Sequence, residues 1–154
     1  MLAGRFLEAL TCSATTSTRT TPPLRVLCID DNHDVADSAV DLLRAVGFES
    51  LACYDGPTAL IEAVSFLPGV CLIDLNMPGM DGDEVAIKLR EQADGVPLVL
   101  VAVTAASNDR DSTRIRDAGF DMHFVKPVDP HQLVLVVDTL WRAWHRWVLK
   151  SSSR

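Results

Sequence analysis

Residues 96–105 read VPLVLVAVTA, the longest apolar run of the chain. A strand with one wet face alternates apolar and polar residues, but this one stays apolar at both parities until Thr104. Such a strand belongs in the middle of a parallel sheet with helices packed on both faces. Parallel neighbours are joined by long crossovers, usually helical. The rest of the chain should therefore alternate between short β-branched runs and helical patterns.

It does so from Leu24 onward. LRVLCI, SLACY, VCLIDL and MHFVKP read as further strands, with Asp74 near the end of the third and Pro127 stopping the fifth. Between them, VADSAVDLLRAV has apolar residues at helical spacing and stops at Gly47. GPTALIEAVSFL has Pro57 in its first turn. DEVAIKLREQ starts acidic and turns basic, the polarity a helix dipole favours. NDRDSTRIRDAG reads as a polar, weakly amphipathic helix. The last helix, DPHQLVLVVDTLWRAWHRWVLK, carries Leu133, Val137, Leu140, Trp144 and Trp147 on one stripe, widened by Val136, Trp141 and Val148. A basic stripe of Arg142, Arg146 and Lys150 backs it. That helix either faces the core throughout or presents its tryptophan end to a partner or a second copy; a basic amphipathic helix touching lipid is the weaker alternative. Five β–α units in order define an α/β, doubly wound, five-stranded parallel sheet.

Bulk properties bound the rest. The 154 residues suit one domain over 24–140, with residues 141–154 extending the last helix as a basic tail. Residues 1–23, rich in Ser and Thr and closed by Pro22-Pro23, read as a disordered leader. Its opening MLAGRFLEAL is too short and too charged for a secretory signal. No apolar run reaches the roughly 20 residues that span a bilayer. The net charge is −7, and both ends are basic, so the body between them is more acidic still. An acidic body argues against direct nucleic-acid binding and for a site that collects a cation or meets a basic protein face. Cys12, Cys28, Cys53 and Cys71 form no CxxC pair, and the last three lie in or beside apolar runs. They read as reduced thiols in a cytoplasmic protein.

In an open α/β sheet the ligand site lies at the carboxyl ends of the strands. The first strand ends in Asp30-Asp31, the third in Asp74, the fourth in Thr104 and the fifth in Lys126-Pro127. Taken singly, each has a plain structural reading: a helix cap, a turn opener, a strand end, a surface charge. Taken together, three carboxylates, a hydroxyl and an ammonium converge on one edge of one sheet. Gly79 and Gly82, in the turn after Asp74, read as residues with positive φ. Three packed carboxylates repel one another, and a divalent cation removes that repulsion.

VLCIDDN, CLIDLNMPGMDG, VAVTA and HFVKPVDP, in that order and spacing, resemble the receiver domain of two-component response regulators. The resemblance covers about residues 24–140. It implies a flavodoxin-like (βα)5 fold with strand order 2-1-3-4-5. It makes Asp74 the phosphoacceptor, taking a phosphoryl group from a phosphohistidine of a histidine kinase or histidine phosphotransfer protein. It implies Mg²⁺, or Mn²⁺, bound by Asp31, Asp74 and the backbone carbonyl of Asn76, with Asp30 acting largely through water. Thr104 and Lys126 would contact the phosphoryl group, small Ala105 would leave room for it, and Ala106 and Asn76 would tune the lifetime of the phosphorylated state. A cis Lys126-Pro127 bond is expected. The aromatic partner of Thr104 falls at His123, a departure from the usual Tyr or Phe. His33, two residues after the acidic pair, reads as a surface residue at a helix start. The protein would not be a classical enzyme: it would catalyse its own phosphoryl transfer and slow autodephosphorylation. It would act as a single-domain regulator or as a receiver detached from a hybrid kinase, and signal to a target protein, with a homodimer through the fourth helix, fifth strand and last helix left open. Two other readings compete. One is a phosphorylation-independent interaction module on the same fold. The other is an aspartate-nucleophile phosphatase, disfavoured because Asn76 stands where a general acid is needed.

Overall fold

The computed structural model describes residues 23–105 and 108–152, apart from the side chains of Val148, Ser151 and Ser152. The expected leader and the lifetime-tuning position Ala106 lie outside these residues. The strands are β1 (Arg25–Ile29), β2 (Glu49–Cys53), β3 (Val70–Asp74), β4 (Val99–Thr104) and β5 (Met122–Val125). The helices are α1 (His33–Ala45), α2 (Gly56–Phe66), α3 (Gly82–Ala93), α4 (Asp109–Asp117) and α5 (Pro130–Ser152). All strands are parallel, in the order β2-β1-β3-β4-β5. This is the expected doubly wound sheet, with β3 at its centre and β4 beside it.

Alternation along each strand divides the core in two. Val26, Cys28, Val70, Leu72, Val101 and Val103 pack with Val40 and Leu43 of α1 and Leu133 and Val137 of α5. Leu27, Ile29, Cys71, Ile73 and Leu100 pack on the other face with Ala59 and Ala63 of α2 and Val85, Ala86 and Leu89 of α3. Leu75 and Ala102 continue that second face against Ile115 of α4. Each buried Leu, Ile or Val side chain contributes about 1.5–3 kcal/mol, which makes the two apolar layers the main source of stability.

The starts of α1, α2 and α4 are set by short polar side chains. The cap of α1 is Asn32, whose side chain accepts from Val35 N at 3.3 Å. Neither acidic neighbour caps the helix, so Asp30 and Asp31 remain available for other work. Asp55 caps α2 through Thr58 N at 2.7 Å. In α5, Leu133 and Val137 are buried, Leu140, Trp141 and Trp144 pack against the core, and Trp147 is 45% exposed. The helix is therefore core-facing along most of its stripe, and its tryptophan end is only partly covered. Asp138, buried on this helix, pairs with Arg142 at 3.1 Å.

Cys28, Cys53 and Cys71 are free and buried. Burial pushes the Cys28 thiol up to about 12 and the Cys53 thiol up to about 11, and it raises Cys71 further. No helix among the described residues is long and apolar enough to cross a membrane.

Candidate functional site

Strand register brings the acids together. Ile29 of β1 pairs with Ile73 of β3, so the residues that follow, Asp30 and Asp74, emerge side by side on one face. Carboxylate oxygens of Asp30, Asp31 and Asp74 all lie within 4.8 Å of one another. Asp30 and Asp74 are buried, the latter 6% exposed, and Asp31 is exposed. From the other side, Lys126 N donates to Thr104 O at 2.8 Å, which fixes the lysine just beyond β5. Its Nζ lies 2.9 Å from Asp30 Oδ2 and 3.5 Å from Asp74 Oδ1. The Lys126–Pro127 peptide is cis, as expected.

One ammonium does not neutralise three carboxylates. Burial, together with the charge of Asp30, pushes Asp74 up to about 7 despite the opposing pull of Lys126. Burial alone would lower Lys126, but its contacts with Asp30 and Asp74 outweigh burial and raise it. The lysine is thus held as a cation between two acids. The donors are hard oxygens with an excess of negative charge, which fits Mg²⁺ or Mn²⁺ and not a soft metal.

A pH dependence follows from Asp74. Between about pH 4 and 7 the folded domain holds a proton that an ordinary aspartate in the unfolded chain has lost. Stability of the metal-free protein from this group therefore falls as pH rises through that window. A cation must displace the proton, so its binding tightens with pH. Isothermal titration calorimetry is expected to show Mg²⁺ affinity rising several-fold from about pH 6 to 7 and levelling off above about 8. A flat profile would contradict this account of the site.

The loop after β3 is held against the sheet. Leu75 N donates to Val103 O at 2.9 Å, and Gly82 N to Leu75 O at 3.0 Å. Gly79 has φ +82° and needs glycine for that reason. Gly82 corrects the expectation made for it. Its φ is not positive; a Cβ there would sit 2.3 Å from the backbone oxygen of Asp74, so glycine is required by close approach. Asn76 N donates to Asp74 Oδ1 at 3.3 Å, and Ala105 is exposed beside Thr104.

Thr104 and His123 lie on the opposite sheet face from Asp30 and Asp74. Thr104 shares the parity of Leu100 and Ala102, and His123 pairs with Ala102 in register. His123 is exposed. The Thr104 hydroxyl is buried and donates to Asp111 of α4 at 3.0 Å. So Asp30, Asp31, Asp74 and Lys126 form one cluster, and Thr104 stands at its rim, turned away. Outside the acidic cluster, His33 stacks on Tyr54 with centroids 3.7 Å apart, and Tyr54 donates to Asp37 at 2.5 Å.

Sequence reading missed Asp111 and Arg114. Arg114 reaches from α4 to the β3–α3 loop. It donates to Asn76 Oδ1 at 2.7 Å, Leu75 O at 3.1 Å and both oxygens of Asp83 at 3.0 and 3.3 Å. Asp83 is held below the usual carboxylate range because these contacts outweigh its burial. Nothing in the local pattern singled them out, because α4 is charged along most of its length.

Comparison with known proteins shows the family and the fold. The sequence matches the response regulator receiver domain over residues 26–138, and the chain belongs to that family. It is 37% identical over 118 residues to the transcriptional regulatory protein PrrA of Mycobacterium tuberculosis, covering 77% of this chain and 50% of the relative. It is 34% identical over 110 residues to the DNA-binding response regulator MtrA of the same organism, covering 71% and 47%. The chain thus spans about half the length of these relatives. Among solved structures it resembles a CheY-like receiver domain protein of Methanospirillum hungatei, with TM-score 0.74 and 23% identity over 81% of this chain and 98% of that one. It also resembles the chemotaxis protein CheY4 of Vibrio cholerae, with TM-score 0.72 and 24% identity over 77% and 99%.

Proposed function

We propose that this receiver domain accepts a phosphoryl group on Asp74 from the phosphohistidine of a histidine kinase or histidine phosphotransfer protein, and signals by contacts with a target protein. The observation that carries this reading is Asp74 itself: a buried carboxylate at the centre of the sheet edge, flanked by Lys126 and two further acids. An Asp74 oxygen attacks phosphorus, the P–N bond to the imidazole breaks, and that nitrogen recovers a proton from solvent. Lys126, already charged, moves from its contacts with Asp30 and Asp74 to a phosphoryl oxygen. Asp31, Asp74 and the Asn76 carbonyl would hold Mg²⁺, with Asp30 acting through water, and the cation would offset phosphoryl charge. Small Ala105 leaves space at the rim. Thr104 turns to the acyl phosphate, and His123, on the same sheet face, follows it inward in place of the usual aromatic.

The domain then works as a phosphoacceptor and not as a turnover enzyme, in a reducing, cytoplasmic setting that suits its free thiols. Its acidic body favours protein partners over direct contact with nucleic acid. A homodimer would use α4, β5 and α5. With acetyl phosphate and Mg²⁺, intact-mass spectrometry is expected to show one added phosphoryl group per chain, lost when EDTA is present. Absence of the adduct in Mg²⁺ would sink the reading.

A further inference from the structure

The Thr104 hydroxyl is already engaged on the side away from Asp74. It donates to Asp111 Oδ2 at 3.0 Å, and both residues are buried. Asp111 is the third residue of α4 and follows the cap residue Asn108, whose side chain accepts from Asp111 N at 2.8 Å. An acid at that position commonly reaches back to the backbone of the cap residue. Here it turns toward the sheet, where its carboxylate meets Thr104 at 3.0 Å, the Asn108 amide at 3.4 Å and Arg114 at 3.6 Å. Arg114 is itself fixed to Asp83, Asn76 and Leu75 O, so the carboxylate is held on a braced helix.

A threonine hydroxyl has a single proton to donate. It cannot serve Asp111 and a phosphoryl oxygen at once. We propose that Asp111 is a positioning residue that holds Thr104 in the outward state, so that forming the phosphorylated state requires breaking the Thr104–Asp111 bond. The inference rests on the reading of Asp74 as phosphoacceptor. It assigns α4 a part in setting the equilibrium: the stronger the acceptor at position 111, the fewer molecules have Thr104 turned toward the site. A bond to a charged acceptor is stronger than one to a neutral amide of the same shape, and it is worth more in a buried setting.

The test uses the full chain and beryllofluoride with Mg²⁺, a stable mimic of the aspartyl phosphate, read by isothermal titration calorimetry. Asp111→Asn is expected to bind beryllofluoride about fivefold more tightly than the unaltered chain, the difference between a charged and a neutral acceptor. In a Thr104→Val background, which removes the hydroxyl, the same substitution is expected to change affinity less than twofold. Asp111→Ala, read the same way, serves if the asparagine variant does not fold. An unchanged or weaker affinity in Asp111→Asn, or an equal gain without the threonine, would overturn the inference. If the unaltered chain binds no beryllofluoride, the phosphoacceptor reading itself falls and this inference with it.

Discussion

Asp74→Asn is expected to take up no phosphoryl group from acetyl phosphate and Mg²⁺, and at the same time to be more stable than the unaltered chain in metal-free buffer near pH 7.5. The two effects have one cause. The Asp74 carboxylate ends the central strand β3, buried beside Lys126 and the other two acids. In the proposed transfer, removing it removes the bond-forming oxygen, so the expected loss is complete and not graded. Its charge is also a burden on the fold, because burial and Asp30 raise it to about 7. An amide of the same shape carries no charge and still offers an oxygen to Asn76 N. The expected gain is about 1–2 kcal/mol, a rise of a few degrees in Tm, and it should shrink as pH falls toward 5 and the native carboxyl protonates. Mass spectrometry reads the first effect and calorimetry with and without Mg²⁺ the second. Labelling of the variant at a native rate would end the assignment of Asp74.

Gly82→Ala tests the backbone that carries Asp74, the proposed acceptor. In an ordinary helix first turn, replacing glycine by alanine gains stability, up to about 1 kcal/mol. Here the added methyl would lie 2.3 Å from Asp74 O and 2.9 Å from Leu75 Cα, both backbone atoms that cannot swing aside. The clash wins over the propensity. A loss of about 3 kcal/mol or more in urea unfolding is expected. The folded fraction should accept phosphate at least tenfold more slowly, because the strand end carrying Asp74 is what must move. Gly79→Ala is the control: it meets no atom within 4 Å and is strained only by φ +82°, so its cost should be nearer 1 kcal/mol.

The fold was legible because its decisive signals are local. A strand apolar at both parities, as in residues 96–105, has few places to go other than the interior of a covered sheet. The structure trims that run to Val99–Thr104 and moves the start of α1 to His33, adjustments set by Pro97 and by the Asn32 cap. The acidic cluster was legible too, because Asp30 and Asp31 follow β1, Asp74 ends β3, and parallel register aligns the two strand ends. What escaped was any constraint defined by distant partners. The glycine at 82 looks like turn chemistry until the Asp74 carbonyl is placed against it. Arg114 bonds to residues 31 to 39 positions away, and such spacing leaves no periodic trace. Asp111 reads as a member of an exposed, polar helix, yet it is buried on the sheet side.

The three buried thiols have a practical consequence. Cys53, Cys28 and Cys71 sit on three adjacent strands, β2, β1 and β3, and burial keeps each protonated and unreactive. An alkylating reagent reaches them only when the sheet opens. Their labelling rates, read peptide by peptide, form three internal clocks for opening of this half of the molecule. Equal rates mark one cooperative unit, and a faster Cys53 marks fraying of the edge strand β2 ahead of the centre.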